Sequence, residues 1–117
     1  MNKYKYDYNY NQVINAIIKC NIKSGDIVYV TGNLTKFGYC ELKNYKDLPK
    51  IFYKALVNIL KGNGTIVVPT HTFELTNTKR IFDVKKTLSM SGSFSNFILK
   101  QKGVVRQIHP YSSSAAI

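Results

Sequence analysis

The amino-acid sequence predicts an α/β fold, a three-layer sandwich in which helices surround a mostly parallel sheet. Segments with helical spacing of apolar residues alternate with short β-branched runs, and glycine or proline marks most of the boundaries. The most regular helical segment lies between two short apolar strands. This order predicts a βαβ unit with parallel strands and a right-handed connection.

The first elements are a leader, a short helix and a strand. Residues 1–11 carry alternating tyrosines and are interpreted as a polar, low-complexity leader to a domain over residues 12–117. An edge strand or an aromatic partner surface is the alternative for these tyrosines. Helical spacing predicts a helix from Gln12 to about Cys20, capped by Asn11. Ile27 to Val30 is β-branched or aromatic throughout, which predicts a strand buried on both faces.

The middle of the chain gives the clearest helix. Apolar residues recur three and four positions apart from Tyr45 to Lys61, and Asp47 with Pro49 suits a helix start. Gly62 and the two residues after it are expected to end the helix through a left-handed cap. A second buried strand is then predicted from Thr65 to Val68, broken by Pro69.

The remaining segment is predicted to contain a loop, a helix and extended chain. Phe73 to Thr87 has no sustained period and predicts a long functional loop, with disorder as the alternative. Ser91 or Ser93 is expected to cap a third helix that ends before Gly103. Val104 to Ile108 is predicted to be extended. The last residues look like a buried strand, so we expect an incomplete fold in an amino-terminal piece, with open strand edges that favour a homo-oligomer.

Composition limits the possible partners. The chain has 117 residues and a formal net charge of +11, with 17 lysines and arginines against 6 acidic residues. Only Arg80 and Arg106 are arginines, whereas phosphate clamps and readers of DNA bases favour arginine. We interpret the charge as a weak indication of an anionic ligand, with a nucleic-acid-binding module as the less favoured alternative. Cys20 and Cys40 lack metal or disulfide spacing, and no membrane-spanning run is evident, so a cytoplasmic location is expected.

The run VVRQIHPYSSSAAI, from Val104 to Ile117, carries the most informative chemistry. Histidine can exchange a proton near neutral pH, and Pro110 stiffens the chain beside His109. A proton carrier with hydroxyl neighbours on a stiff loop is a common arrangement for a general base. The alternative is an ordinary loop histidine.

Three further blocks place this run in a family. GDIVYVTGNLTKFG, GNGTIVVPTHTF and SGSFSNFILKQKGVVRQIHPYSSSAA occur in that order. They resemble the antibiotic N-acetyltransferases, the aminoglycoside 3-N-acetyltransferase family, which use acetyl-CoA. That family has a strand ending in a His-Ser-Ser-Leu type turn, a Gly-Thr-Leu-Val-Met-Pro-Thr strand, Met-Gly before a helix, and Arg-Ser-x-His-Pro-x-x-Ser.

The resemblance implies an enzyme with acetyl-CoA as co-substrate and a small-molecule amine, on an aminoglycoside or another amino sugar, as acceptor. It implies that His109 is the general base; separately, no metal site is expected from the sequence. The residues expected to bind the cofactor lie at two strand-ending turns and beside the histidine: Gly32, Asn33, Leu34, Pro69, Thr70, Arg106 and Ser113.

The sequence departs from the family pattern at two places. Thr31-Gly32-Asn33 replaces the His-Ser-Ser turn, and Asn96 lies where many relatives carry a glutamate. A neutral amide supplies no negative charge to attract an ammonium group or to orient a histidine. An inactive or truncated relative is therefore the alternative to an active enzyme. His71 is not expected to have a catalytic role.

Overall fold

The computed structural model describes residues 5–117 and confirms the α/β class, with three helices and one four-stranded sheet. Residues 1–4 of the predicted leader lie outside the described part of the chain. Two units are distinguished: residues 5–26 with 33–64, and residues 27–32 with 65–117. The helices are α1 (Tyr10–Lys19), α2 (Leu48–Leu60) and α3 (Ser93–Leu99), and the strands are β1 (Ile27–Tyr29), β2 (Thr65–Pro69), β3 (Val105–Arg106) and β4 (Ser114–Ala116). Within residues 5–117, no helix is both long and apolar enough to cross a membrane.

The first unit contains α1 and α2, which pack together. Asn9, rather than the predicted Asn11, caps α1: its side chain accepts from the Gln12 N–H while the Gln12 side chain accepts from the Asn9 N–H. This reciprocal capping box satisfies two backbone donors and moves the helix start to Tyr10. The backbone of Tyr8 also pairs with the segment around Cys40, so part of the predicted leader is ordered against this unit.

Helix α2 starts later than the spacing predicts, because Tyr45–Asp47 forms a separate 3₁₀ turn. Pro49 lies in the first helical turn, where its missing N–H breaks no helical hydrogen bond. The predicted left-handed cap is present: it begins one residue earlier, at Lys61 with a φ of 52°, and includes Gly62 with a φ of 69°. The buried residues of the helix are Leu48, Ala55, Leu56 and Leu60.

The sheet lies in the second unit and has the order β1-β2-β4-β3. β1 and β2 are parallel, as the βαβ pattern predicts, but β4 is antiparallel to both β2 and β3. A parallel return requires a crossover of a dozen or more residues, and the connection from β3 to β4 is shorter than that. The short His109 loop therefore makes the sheet mixed.

Strand β1 is not buried on both faces, and that expectation is wrong. Ile27 is 76% and Tyr29 55% exposed, whereas Val28 is half-buried. β1 is an edge strand of the four-stranded sheet, so neighbours cover less of it than they cover of the central strand β2. Val105, on the other edge strand, is 71% exposed. The homo-oligomer expected from such open edges stays a prediction.

Helix α3 also starts differently from the sequence expectation. Gly92, with φ of 107°, takes the N-cap position, and no side chain caps the helix. The Ser91 hydroxyl instead accepts a hydrogen bond from the His71 N–H at 2.9 Å. Apart from a 3₁₀ turn at Phe73–Leu75, the segment up to Thr87 is irregular, as predicted.

Candidate active site

A buried polar cluster joins the end of β2 to the start of β4. The Thr70 N–H donates to the Ser113 carbonyl at 2.8 Å, and the Ser113 hydroxyl donates to the Thr70 carbonyl at 2.9 Å. The two hydroxyl oxygens lie 2.8 Å apart. Because the Ser113 proton goes to the carbonyl, the Thr70 hydroxyl is the donor between them. Both side chains are fully buried. Their hydrogen bonds therefore hold the end of β2 against the start of β4.

Arg106 completes this cluster from β3. Its guanidinium donates to the Ser113 hydroxyl at 3.2 Å, to the Thr70 carbonyl at 3.0 Å and to the Thr87 carbonyl. The Phe82 ring lies 5.0 Å from the guanidinium carbon, within the range of a cation–π contact. Burial lowers the pKa of Arg106, and the charge of Glu74 partly opposes that shift. Protein carbonyls and an aromatic face thus surround this buried cation.

His109 lies on the turn between β3 and β4 and is exposed. Its Nδ1 accepts hydrogen bonds from the Ser112 N–H at 2.9 Å and from the Tyr111 N–H at 3.3 Å. A ring nitrogen that accepts carries no proton, so the neutral ring carries its proton on Nε2. Among residues 5–117, no carboxylate forms a hydrogen bond or ion pair with this ring.

The turn after β2 holds the His109 loop directly. The Thr72 N–H donates to the Tyr111 carbonyl at 3.0 Å, and the Thr72 hydroxyl donates to the Pro110 carbonyl at 2.8 Å. Thr72 is fully buried. The structure therefore brings the second predicted turn and His109 together.

A row of rings lies beside this loop, and sequence reasoning did not find it. The His71 ring stacks on Phe73 with centroids 4.8 Å apart, and Phe73 contacts Tyr111 at 4.5 Å. His71 Nδ1 also lies 3.3 Å from the Ser112 hydroxyl. Both histidines of the chain therefore contact Ser112. The alternation of threonine, histidine, threonine and phenylalanine after Pro69 was the available signal.

The first predicted turn has a different local structure. Gly32 has a φ of 131°, which favours glycine, and open space surrounds the position of a Cβ. Its carbonyl lies 3.7 Å from where a Cβ on Gly92 would be. In the first unit, the Asn33 side chain caps a 3₁₀ turn that begins at Leu34, and Leu34 is buried. The cofactor contacts predicted for these residues stay predictions.

Asn96 is the second place where the sequence departs from the family pattern. Both hydrogen-bonding groups of its side chain are bonded to the backbone of Ser89. Its Oδ1 accepts from the Ser89 N–H at 2.8 Å, and its Nδ2 donates to the Ser89 carbonyl at 2.9 Å. An amide can make both contacts, whereas a carboxylate lacks the donor for the carbonyl. Asn96 thus orders the segment just before α3.

The model of the aminoglycoside 3-N-acetyltransferase family matches residues 11–117, nearly the whole chain. The chain belongs to this family. A search among curated proteins found no significant match.

Solved structures share the fold of this acetyltransferase-family chain. It is 21% identical to the apoenzyme of aminoglycoside acetyltransferase AAC(3)-IVa, with a TM-score of 0.77 over 97% of this chain and 42% of that one. The YokD protein from Bacillus subtilis is 17% identical, with a TM-score of 0.78 over 92% of this chain and 49% of that one. This chain therefore spans about half the length of these relatives.

Proposed function

We propose that this chain forms the His109 side of an N-acetyltransferase that uses acetyl-CoA and acts on an amine of an aminoglycoside or another amino sugar. Family membership and the exposed histidine on a loop anchored to a buried cluster support the proposal. Among proteins with this fold, one 20% identical enzyme was solved bound to sisomicin, an aminoglycoside. The free thiols of Cys20 and Cys40 are compatible with the cytoplasm as the expected compartment.

The reaction assigns a proton-transfer role to His109. Acetyl-CoA supplies a thioester whose carbonyl carbon bonds to the acceptor nitrogen as the carbon–sulfur bond breaks. The nitrogen loses a proton in this step, and His109 is the proposed acceptor of that proton. The thiolate that leaves takes up a proton, which the imidazolium can return.

The hydrogen bonds of His109 set a condition on this role. In the described structure, Nδ1 is the unprotonated nitrogen and two backbone N–H groups occupy it. Proton uptake at Nε2 requires that Nδ1 first carry the ring proton, which means that these two contacts must break. A carboxylate beyond the described residues that accepts from Nδ1 would stabilise that second arrangement.

The predicted cofactor-binding residues divide by exposure. Gly32 and Asn33 are exposed, so we propose that they contact acetyl-CoA with their own atoms. Thr70, Arg106 and Ser113 are buried and bonded to one another, so we propose that they support the cofactor site by holding the turn. Pro69 is buried as well, and the same supporting role is proposed for it. The cofactor contact predicted for Leu34, which is buried within the first unit, stays a prediction.

The surface of the second unit fits an anionic, partly apolar molecule such as acetyl-CoA. A cavity of about 450 Å³ is lined by Val84, Leu88, Leu99, Val104 and Val105 together with Lys85, Lys86 and Lys100. A second cavity, of about 240 Å³, is lined in part by Arg80, Pro110 and Tyr111. Neither lining includes an acidic residue. The basic side chains in both linings are therefore compatible with the phosphates of the cofactor.

An inactive relative is the second candidate, and Asn96 favours it. Both hydrogen-bonding groups of its side chain are bonded to Ser89, so it is not available to orient a histidine. The two candidates differ in whether an acetylated product forms.

The test combines binding and turnover. Calorimetric titration with CoA is carried out on the 117-residue chain and on any longer natural protein that contains it. Acetylation of sisomicin is followed by mass spectrometry in the same proteins, with His109→Gln and, as a surface control, Lys102→Gln. We expect CoA binding, and acetylation that His109→Gln reduces at least a hundredfold, the usual size of a general base effect. Absence of CoA binding in every form contradicts the transferase, and binding without any product supports the inactive relative.

A further inference from the structure

Thr72 contacts the His109 loop through two hydrogen bonds that end on neighbouring peptide groups. Its hydroxyl donates to the Pro110 carbonyl and its N–H donates to the Tyr111 carbonyl, at 2.8 and 3.0 Å. The side chain has no exposed surface. Thr72 thus donates hydrogen bonds to two consecutive carbonyls of one turn.

The same two peptide groups supply the donors to His109. The Pro110 carbonyl shares a peptide plane with the Tyr111 N–H, and the Tyr111 carbonyl shares one with the Ser112 N–H. A peptide group is rigid, and its carbonyl and N–H point in opposite directions. A hydrogen bond that fixes the carbonyl of a peptide group therefore also fixes the direction of the N–H in the same group. Those N–H groups are the ones that donate to His109 Nδ1, at 3.3 and 2.9 Å.

We propose that Thr72 is a positioning residue that sets the tautomer of His109. Through the two peptide planes it holds two donors on Nδ1, which keeps the proton of the neutral ring on Nε2. Hydrogen bonds in such a chain also polarise one another, so each bond to Thr72 strengthens the bond to the ring. The ring nitrogen left for a ligand is then a donor.

The catalytic meaning of this arrangement rests on the proposed function, but the tautomer is a property of the chain itself. While Thr72 holds the turn, His109 can donate from Nε2 to a ligand oxygen or sulfur. Proton uptake at Nε2 requires the turn to release Nδ1. Thr72 therefore determines how readily His109 changes from donor to base.

Imidazole ¹⁵N resonances of the 117-residue chain at a pH where the rings are neutral give the direct test. The chain has two histidines, and His71→Gln assigns the signals. Thr72→Val removes the hydroxyl and keeps the N–H, Thr72→Ser restores the hydroxyl, and Thr65→Val is the matched control on β2. We expect Thr72→Val to raise the fraction of the Nδ1–H tautomer of His109 roughly fivefold, the effect of losing one net hydrogen bond. Thr72→Ser and Thr65→Val should leave that fraction unchanged.

An unchanged tautomer in Thr72→Val, or a serine variant that behaves like the valine variant, overturns the proposal. If Thr72→Val loses its native amide spectrum, Thr72→Ala and Thr72→Ser provide a pair that differs by one hydroxyl. The measurement uses neither acetyl-CoA nor an acceptor, so failure of the transferase assignment leaves its outcome untouched. In an active protein, Thr72→Val makes Nδ1 easier to release and should therefore raise kcat with little effect on KM, and Thr72→Ser should return kcat to the native value.

Discussion

Thr70 and Ser113 lie 43 positions apart in the chain and are joined three times, by one backbone-to-backbone bond, one hydroxyl-to-carbonyl bond and one hydroxyl-to-hydroxyl contact. The Ser113 hydroxyl also accepts from Arg106. The Ser113 hydroxyl oxygen thus accepts from two donors, and its proton is donated to the Thr70 carbonyl, at a position that is fully buried from solvent. The loop that carries His109 begins and ends at this cluster, between β3 and β4.

Ser113→Ala should lower the free energy of unfolding by about 3 kcal/mol, since it leaves a buried hydroxyl and a buried guanidinium N–H without their acceptor. Urea denaturation followed by circular dichroism measures the change. Ser114→Ala, one position further along β4, is the matched control and should change stability by less than about 0.5 kcal/mol. Equal effects of the two substitutions would show that the buried cluster does not stabilise the fold.

The sequence predicted the parallel pair β1 and β2, the helix α2 and the His109 turn, because each depends on local spacing or on glycine and proline. It did not predict the antiparallel position of β4, since periodicity does not specify a strand's neighbour. Thr70, Arg106 and Ser113 were expected to bind a cofactor, and only the tertiary structure reveals their mutual contacts. Thr72 belongs to the alternating run after Pro69, but that alternation does not reveal its hydrogen bonds to two peptide groups that are distant in sequence.

Asn96 gives a prediction about the segment before α3. Asn96→Asp keeps an acceptor for the Ser89 N–H but replaces the donor to the Ser89 carbonyl with a carboxylate oxygen. The two oxygens then repel each other, and we expect a loss of about 1–2 kcal/mol in the free energy of unfolding near neutral pH. Asn15→Asp on the exposed face of α1 introduces the same charge without such a neighbour and serves as the control. A loss in Asn15→Asp as large as that in Asn96→Asp would assign the effect to charge alone.

Tyr8 and Cys40 give a prediction about the first unit at high pH. The Tyr8 hydroxyl is buried and forms no hydrogen bond of ordinary geometry with the described residues. Burial, together with the nearby ionisable Cys40, raises its pKa from the ordinary value of 10.0 to about 12. Tyr8→Phe removes a buried polar group without an ordinary partner, so we expect it to leave stability unchanged or raise it by about 1 kcal/mol at neutral pH.

The pH dependence follows from the direction of the Tyr8 shift. Below pH 10 the phenol is protonated in both folded and unfolded chains, and between pH 10 and about 12 only the unfolded chain releases its proton. The stability linked to Tyr8 is therefore present below pH 10 and is lost as the pH rises toward 12. High pH affects the chain in other ways as well, so the measured quantity is the difference in unfolding free energy between the native chain and Tyr8→Phe at each pH. That difference should shift in favour of Tyr8→Phe above pH 10, whereas Tyr6→Phe, at a side chain that is 47% exposed, should follow the native chain throughout.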